Sequence, residues 1–594
     1  MTASNQNVKF DPVLLAVMAN RIDAIVREMT STVVLTACSS VIGMARDFSC
    51  AILTADHDLL SAADGLPVHT FGGSLQGKHL EKAHPDLREG DAFLNNDPYS
   101  GNSHPADHTF LVPVFHEGKH VFTTAVKCHQ ADCGNSLPTT YHASAKDIYE
   151  EGALIFPMVK VQSDYKDNSD IVRMCRSRIR VPDQWHGDFL SGISAARAGE
   201  RALKGFVEQF GWEKVQAFNQ AWLDYSERRA LAAIKEMPKA VVKRTGRIDP
   251  LDEFLPNGLD VNATVHVEPE EGLITIDLRD NVDCLDNGLN QTEATVTAMA
   301  ITGVINCLGG DLPLNSGTFR RIKVQLRENC AVGLPQFPHS CSVATTMIAD
   351  TLGNIVQHAL TDLGYGYGIA EGNLCLPAST AVISGKDFRK ADADYVNQLF
   401  LMGGGGPASA SGDGINYYIV PGGAGVCYRD SIEIDEQRLP ILVHSMSLVA
   451  GSAGAGMRRG GLGTRVEFGP RGDGLTVMAL TNGSETAPRG AHGGLAAFPG
   501  ANLRLKDGEV TDTLGGYIVE TLAGNETLVS VDSGGGGYGD PTTRSPDLVL
   551  EDVLERYETP ERARDIYKVA LIYDEFGDAV GVDKQATERA RAGL

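Results

Sequence analysis

Two short polar clusters bracket one apolar hairpin, and their residue types are those of a metal site. The first is Asn96-Asp97-Pro98-Tyr99-Ser100-Gly101-Asn102-Ser103-His104-Pro105-Ala106-Asp107-His108, and the second is His129-Gln130-Ala131-Asp132-Cys133-Gly134-Asn135. Between them run two strand-like segments, 109–115 and 121–128, joined through Glu117-Gly118-Lys119. A turn centred near Gly118 sets the cross-strand register. It puts Asp107 opposite His129 and His104 opposite Asp132. Directly opposed Cβ atoms lie roughly 4.5–5.5 Å apart, close enough for both pairs to reach one divalent cation. His104 and Asp107 are an odd number apart, so a regular strand would send them to opposite faces. Pro105 between them cannot donate to a ladder, and an irregular segment there can turn both inward. Imidazole with carboxylate suits zinc, manganese or iron rather than calcium. The plainer reading has four polar residues decorating hairpin ends, with His129 paired to a backbone carbonyl. Four such groups converging in one register favour the metal.

Other candidates are weaker. Asp47 opens the strand-like run Phe48–Leu53 and could serve as a ligand or as the partner of a metal-associated water, or simply pair with Arg46. His69, in Leu66-Pro67-Val68-His69, has the same standing. Cys128 and Cys133 match no zinc-knuckle spacing. No GxxxxGK[ST] occurs, and Gly534-x-Gly536-x-x-Gly539 meets Pro541 instead of opening a helix, so the phosphate-binding context is missing. No GxSxG elbow is present. Arg458-Arg459 could meet an anion but reads as a surface turn. The acid pairs Asp435-Glu436 and Glu150-Glu151 read as solvated faces.

The elements that must position these residues follow from periodicity. Residues 11–35 form a helix capped by Asp11, with Pro12 in its first position and apolar residues every three or four. Strands at 48–53 and 59–62 precede the hairpin. Residues 194–237 are helical with a break at Gly211. Segments 262–268 and 273–278 form a second hairpin, and 291–308 an apolar buried helix. Beyond that the chain to about 545 reads as strands and glycine turns, and 548–557 and 560–573 as amphipathic helix. The expected fold is therefore α+β, mixed α/β and multi-lobed. Residues 1–245 form a metal-bearing α/β lobe, 246–545 a β-rich, glycine-rich region, and 546–594 a helical tail.

Composition narrows the function. A chain of 594 residues, 42% hydrophobic and 22% charged, is ordinary for a large globular protein. Its formal charge of −24 argues against nucleic acid. The start MTASNQNVKF has no basic-then-apolar export signal, and no apolar run is long enough to span a membrane. Eleven scattered cysteines form no disulfide framework, so a reducing, cytoplasmic location is expected. The 65 glycines cluster after position 400 in runs without collagen period, implying close backbone approaches.

The two polar clusters, together with Arg46-Asp47-Phe48-Ser49-Cys50, Pro67-Val68-His69, Tyr149-Glu150-Glu151-Gly152, Arg180-Val181-Pro182-Asp183-Gln184, Gly460-Gly461-Leu462-Gly463 and Gly534–Pro541, resemble the B-subunit family of ATP-dependent hydantoinases and oxoprolinases. The resemblance runs through most of the chain, and the family extends to a lactamase subunit and to subunits of ketone carboxylases. It implies a metal-containing B/β subunit of a cyclic-amide hydrolase. Its partner would be a larger A/α-type subunit of actin-like fold that binds ATP and magnesium, in an (αβ)2 assembly. The pattern of the carboxylase relatives, His-x-x-Asp followed by a distant His, implies His104, Asp107 and His129 as ligands of one divalent zinc, manganese or iron ion. Asp132, or failing it Asp47, is then the expected general base. A subunit of a ketone carboxylase, and a scaffold with a structural metal, are the alternatives. Gly101-Asn102-Ser103 and Ser342–Thr346 depart from the family's usual strings, and those departures are expected to alter the substrate pocket rather than the metal.

Overall fold

The computed structural model describes residues 10–423, 426–472 and 474–593. The first nine residues, where an export signal was sought, and Ala424-Gly425 of one glycine run lie outside the described residues. The Asp11 side chain accepts from the amides of Val13 and Leu14, and Pro12 sits in the first turn of a helix spanning Pro12–Thr36. Met18, Ile22, Val26, Met29 and Val33 are its buried face. Burying side chains of this size contributes about 1.5–3 kcal/mol each.

That face covers a seven-stranded sheet of β1 (Phe48–Thr54), β2 (Leu59–Ser61), β3 (Ala92–Asn95), β4 (Asp107–His116), β5 (Lys119–His129), β6 (Val159–Ser163) and β7 (Lys166–Asp167). The order is β2-β1-β5-β4-β3-β6-β7, with every neighbouring pair antiparallel. Asp107 pairs with His129 at the open end of the β4–β5 hairpin, the register that the turn position demanded. A second helix, Pro182–Phe210, lies against the same strands. It starts well before residue 194, because Pro182 opens its first turn and Trp185, Phe189 and Ile193 already form a buried stripe. Two of its glycines set the approach: a Cβ on Gly192 would meet Phe110 at 2.4 Å, and one on Gly199 would meet the Met29 sulfur at 2.4 Å.

A four-stranded sheet follows, ordered 322–325, 273–277, 259–268, 240–248. Its Leu259–Glu268 and Leu273–Asp277 strands form the expected hairpin, with Leu273 paired to Glu268, and the helix Glu293–Leu308 carries the crossover to a parallel strand. The strand Ala240–Ile248 runs straight through position 245, and one hydrophobic core extends from Met18 to Leu480. The helix Ile348–Ala359 lies where sequence patterning indicated strands and turns. Every one of its residues is buried, so its polar face, with Asp350, Asn354 and Gln357 at helical spacing, is turned to the interior rather than to solvent. The C-terminal segment is less helical than its pattern: Leu571–Tyr573 and Ala579–Val582 form a two-stranded ladder between short helices.

Two further sheets, of four and five strands, make up the glycine-rich region. The glycine runs there pack backbone against backbone. Gly535 N–H donates to Gly461 O, Gly461 N–H to Gly406 O, and Gly454 N–H to Gly535 O, each at 2.9 Å. A Cβ on Gly535 would lie 1.8 Å from Gly406 O, and one on Gly461 would lie 2.0 Å from Ile415 O. These runs are structural, not phosphate cradles. Several surface expectations also fail here. Asp435 and Glu151 are buried, each on the inner side of a short helix whose neighbouring acid faces out. Arg459 is buried against Asp552 rather than exposed on a turn.

Replacing Gly535 by alanine is expected to cost about 3 kcal/mol or more in urea unfolding, because backbone must move. Gly310→Ala, where an added Cβ meets nothing within 4 Å, should stay within about 0.5 kcal/mol of the parent. Equal losses in both would show that the runs are not close-packed.

Candidate metal centre

The hairpin's open end is built for convergence. Pro105 interrupts the first strand, and Asn102 pins the preceding loop: its Nδ2 donates to the carbonyls of His104 at 2.8 Å and Asp107 at 2.9 Å. Its Oδ1 accepts from Gln76 and Thr109, both at 2.9 Å. The pinned loop brings His104 and Asp107 to the same side despite their odd spacing. His104 Nε2 lies 3.1 Å from Asp107 Oδ1, His129 Nδ1 lies 3.2 Å from the same oxygen, and the two ring nitrogens are 3.2 Å apart. All three side chains are buried, and together they form the one metal-competent group of His, Cys, Asp and Glu found among the described residues.

Two more groups close the ring. β1 pairs with β5 so that Phe48 faces Cys128, and Asp47 O accepts from His129 N at 3.0 Å. Arg46, at φ 57°, takes the left-handed region that few non-glycine residues enter, and turns Asp47 toward the histidines. Asp47 Oδ2 is 3.9 Å from His129 Nδ1 and its Oδ1 is 3.6 Å from His69 Nε2. Pro67 starts a one-turn helix, Pro67–Thr70, that places His69 Nε2 3.3 Å from Asp107 Oδ2. Asp132 is not brought to this cluster. Its Oδ2 accepts from Arg180 N at 2.6 Å, and its Oδ1 from the Arg180 guanidinium at 2.9 Å and Gly134 N at 3.1 Å. The ladder ends at Asp107–His129, so the register that would have put Asp132 opposite His104 does not continue. Cys128 is buried and held protonated by burial, and Cys133 donates to Asn135 Oδ1.

The residues fit a divalent cation. Ser342 O can only accept, so the His104 Nδ1 at 2.9 Å carries the proton and Nε2 of the neutral ring presents its lone pair to the cluster. His129 Nε2 likewise meets Thr140 Oγ1 at 3.2 Å, leaving Nδ1 facing inward. Orienting partners of this kind are what metal-ligating imidazoles require. Three acceptor atoms 3.1–3.2 Å apart repel one another unless positive charge sits between them. Ligand atoms about 2.0–2.1 Å from one ion are separated by about 2.9–3.4 Å. Nitrogen with carboxylate oxygen is a borderline donor set.

Electrostatics centre on Asp107. Burial opposes its charge, but His104 and His69 beside it hold the carboxyl well below the usual range. Burial likewise presses His104 downward, yet the Asp107 carboxylate outweighs it and keeps the imidazole above its ordinary value. A field that attracts a proton here attracts a cation equally. Behind Asp107, the Ser103 hydroxyl donates to Oδ2 and accepts from Lys127 Nζ at 3.0 Å. Burial pushes that lysine down to about 8, with Asp107 pulling the other way. Lys127 was not among the sequence candidates, and Asn102 and Ser103 were expected to bear on the substrate pocket rather than on Asp107. Lys127 sits in an apolar strand two residues before His129, which was the available signal. Within the strings that depart from the family's, Asn102 holds the loop that carries Asp107 and Ser103 donates to its carboxylate, while Ser342 meets His104 through its backbone carbonyl, which any residue would supply.

Beside the cluster lies a cavity of about 40 Å³, room for two or three waters. Asp47, His69, His129 and Tyr141 form one wall, and Phe400, Ile419 and Val420 much of the other. Tyr141 stacks on both His104 and His129, with centroids 5.6 and 5.5 Å away. Elsewhere in the same interior, burial pushes the Asp350 carboxyl up to about 8 against the Thr346 hydroxyl and the amides of Gly422 and Met347. Burial thus favours the neutral acid.

A model of the Hydantoinase B/oxoprolinase family matches residues 11–541. The chain belongs to that family. It is 29% identical over 591 residues to the caprolactamase subunit beta of Pseudomonas jessenii, covering 98% of this chain and 99% of that protein. The crystal structure of the ATP-dependent caprolactamase from Pseudomonas jessenii superposes with a TM-score of 0.87 at 27% identity, over 98% of this chain and all of that one. The acetophenone carboxylase delta subunit of Aromatoleum aromaticum is 26% identical over 598 residues, covering 94% of this chain and 85% of that protein. No helix among the described residues is long and apolar enough to cross a membrane.

Asp350 gives a pH signature. The folded chain keeps its proton up to about pH 8, whereas an unfolded aspartate releases it near pH 4. Rising pH between those values therefore costs stability. Asp350→Asn mimics the neutral acid, so its urea midpoint should fall less than that of the parent between pH 5 and pH 8. Parallel falls would show that Asp350 is already ionised in the fold.

Proposed function

We propose that this chain is the metal-holding subunit of an ATP-dependent hydrolase of cyclic amides, working with a separate ATP-binding subunit of A/α type in an (αβ)2 assembly in the cytoplasm. The observation that carries this is the convergence of His104 Nε2, Asp107 Oδ1 and His129 Nδ1 within 3.2 Å of one another. The full-length similarity to a caprolactamase subunit supports the amide as substrate. The missing phosphate loop supports a partner as the place where ATP acts.

His104, Asp107 and His129 would hold a zinc, manganese or iron ion, and such an ion supplies Lewis acidity and brings the pKa of water toward about 7. An unstrained amide is a poor electrophile, so its carbonyl oxygen is phosphorylated at the partner's expense of ATP before water adds. Asp47 is the group placed to take that water's proton on its carboxylate; Asp132, locked to Arg180, is not. His69 Nε2 steadies Asp47 and Asp107 together. Tyr141 and the apolar wall keep bulk water from the cavity.

The same donors would serve a ketone carboxylase, and similarity to an acetophenone carboxylase subunit supports that second reading. The test is co-purification with the A-type partner, metal analysis, and ATP-dependent turnover of lactams, hydantoins and 5-oxoproline against ketones with bicarbonate. His104→Ala and His129→Ala should each lose the metal and at least roughly 100-fold in ring opening. Lys127→Met, acting only through Ser103 and Asp107, should lose roughly 10-fold. Retained metal and unchanged rates in the histidine variants would remove the site assignment, and turnover of ketones alone would replace hydrolysis by carboxylation.

A further inference from the structure

The chemistry so far leaves one buried polar group beside the cavity without employment. Gln398 is fully buried, and its Oε1 and Nε2 make no hydrogen bond of ordinary length, with only the Tyr141 hydroxyl noted within polar reach. Leaving one such atom unpaired is costly, and both atoms of one carboxamide calls for an explanation. Its direction is set by strand alternation. The strand Ala393–Gln398 continues extended, with Leu399 N donating to Ala381 O at 2.9 Å and Leu401 N to Ser379 O at 3.1 Å. Leu399 and Leu401 point into the core of the glycine-rich region. Phe400 points the other way, into the cavity wall. Gln398 shares the side of Phe400 and lies beside the hydroxyl of Tyr141, which itself lines the cavity and stacks on the two histidines.

We propose that Gln398 is the residue that reads the substrate's amide as the ring arrives, before phosphorylation removes its N–H proton and esterifies its oxygen, pairing its Oε1 with the ring N–H and its Nε2 with the ring carbonyl. The assignment rests on the amide-hydrolase reading and names the feature of the substrate that the site selects. A carboxamide offers a donor and an acceptor on one edge. Only a group with the complementary pair on one edge satisfies both at once. A small ring holds its amide cis and does so. A trans peptide shows N–H and C=O on opposite edges, and a ketone offers an acceptor alone. Bicarbonate has the matching edge, but its charge would be buried against Leu66, Val68, Phe400, Ile419 and Val420, a wall suited to ring methylenes. The cavity volume, near that of two or three waters, corresponds to the amide atoms themselves. A site built to hydrogen-bond an N–H rejects the analogue lacking it far more strongly than a hydrophobic pocket rejects an extra methyl.

The test uses the metal-loaded complex with its ATP-binding partner and four probes: δ-valerolactam, its N-methyl derivative, cyclohexanone and bicarbonate. Binding is measured by titration calorimetry, and ATP-dependent ring opening is followed in the same preparations. The parent should bind δ-valerolactam at least tenfold more tightly than the N-methyl lactam or cyclohexanone. Gln398→Leu should bring that ratio to within twofold of one while metal content stays unchanged. Gln398→Glu, which keeps acceptors and loses the donor, should also lose the preference. The preference of the parent needs no variant, so a misfolded substitution leaves the proposal exposed to refutation. Absence of preference in the parent, its survival in a folded Gln398→Leu, or selective loss of bicarbonate binding instead would each overturn the assignment. Preference for the lactam without any ATP-dependent ring opening would overturn the hydrolase reading and leave Gln398 standing.

Discussion

An ionised carboxylate with no access to water must have every lone pair answered by the protein, and Asp107 is in that position. Its Oδ1 faces the inward nitrogens of His104 and His129; its Oδ2 faces His69 and accepts from Ser103, behind which stands Lys127. Removing one partner of a buried charge network costs about 3–5 kcal/mol, so these positions are mutually constrained. Each arrives on a different element: the hairpin delivers Asp107 and His129, the Asn102-pinned loop His104, a single helical turn His69, and β1 Asp47. The sheet order β2-β1-β5-β4 makes this convergence affordable, because β1 and β4 flank the strand that ends in His129.

The glycine-rich region supplies the other half of the site in a different manner. Asn373 N donates to Gly405 O at 3.0 Å, and Gly405 N to Ser533 O at 2.9 Å, so Asn373 is fastened to the packed glycine backbones. Its side chain then donates to Ile419 O at 2.9 Å and Cys375 O at 2.8 Å. Ile419 and the adjacent Leu376 are walls of the cavity. Backbones that approach to within hydrogen-bonding distance leave no space for side-chain rearrangement. The cavity wall therefore hangs from closely packed, unyielding backbone.

The hairpin was legible because strand period and a single Gly118 turn leave one register that keeps both apolar faces aligned. Asp47 and His69 were visible as polar residues next to apolar runs, but the β1–β5 pairing that joins them to the histidines spans some eighty residues and leaves no local mark. Asp132 misled for the converse reason: extending the ladder by three residues ignored Arg180, forty-eight positions away. Asp350, Asn354 and Gln357 do recur at helical spacing, but they face the core rather than solvent, so polarity there did not mark an outer surface. Glu151 and Asp435 are likewise polar side chains turned inward. A sequence reports which residues are polar, and not whether a polar face meets water or the interior.

The donors on the hairpin are also not complete without the rest of the chain. His104 takes its tautomer from Ser342 O, Ser103 O accepts from Thr292 Oγ1 at 3.1 Å, and the amide of His142, next to Tyr141, donates to Ser342 Oγ at 3.0 Å. Those partners lie two hundred residues onward, at the capped start of the helix Glu293–Leu308 and in the turn before Ile348–Ala359. The hairpin can present two imidazoles and a carboxylate by itself, and the nearby Thr140 hydroxyl faces the outer nitrogen of His129, but nothing local fixes which ring nitrogen of His104 faces inward. That choice comes from the Ser342 carbonyl, next to the region that also builds the cavity wall. Metal affinity and the shape of the substrate cavity are thus tied to the same interface, so a change in how the two regions pack alters both together.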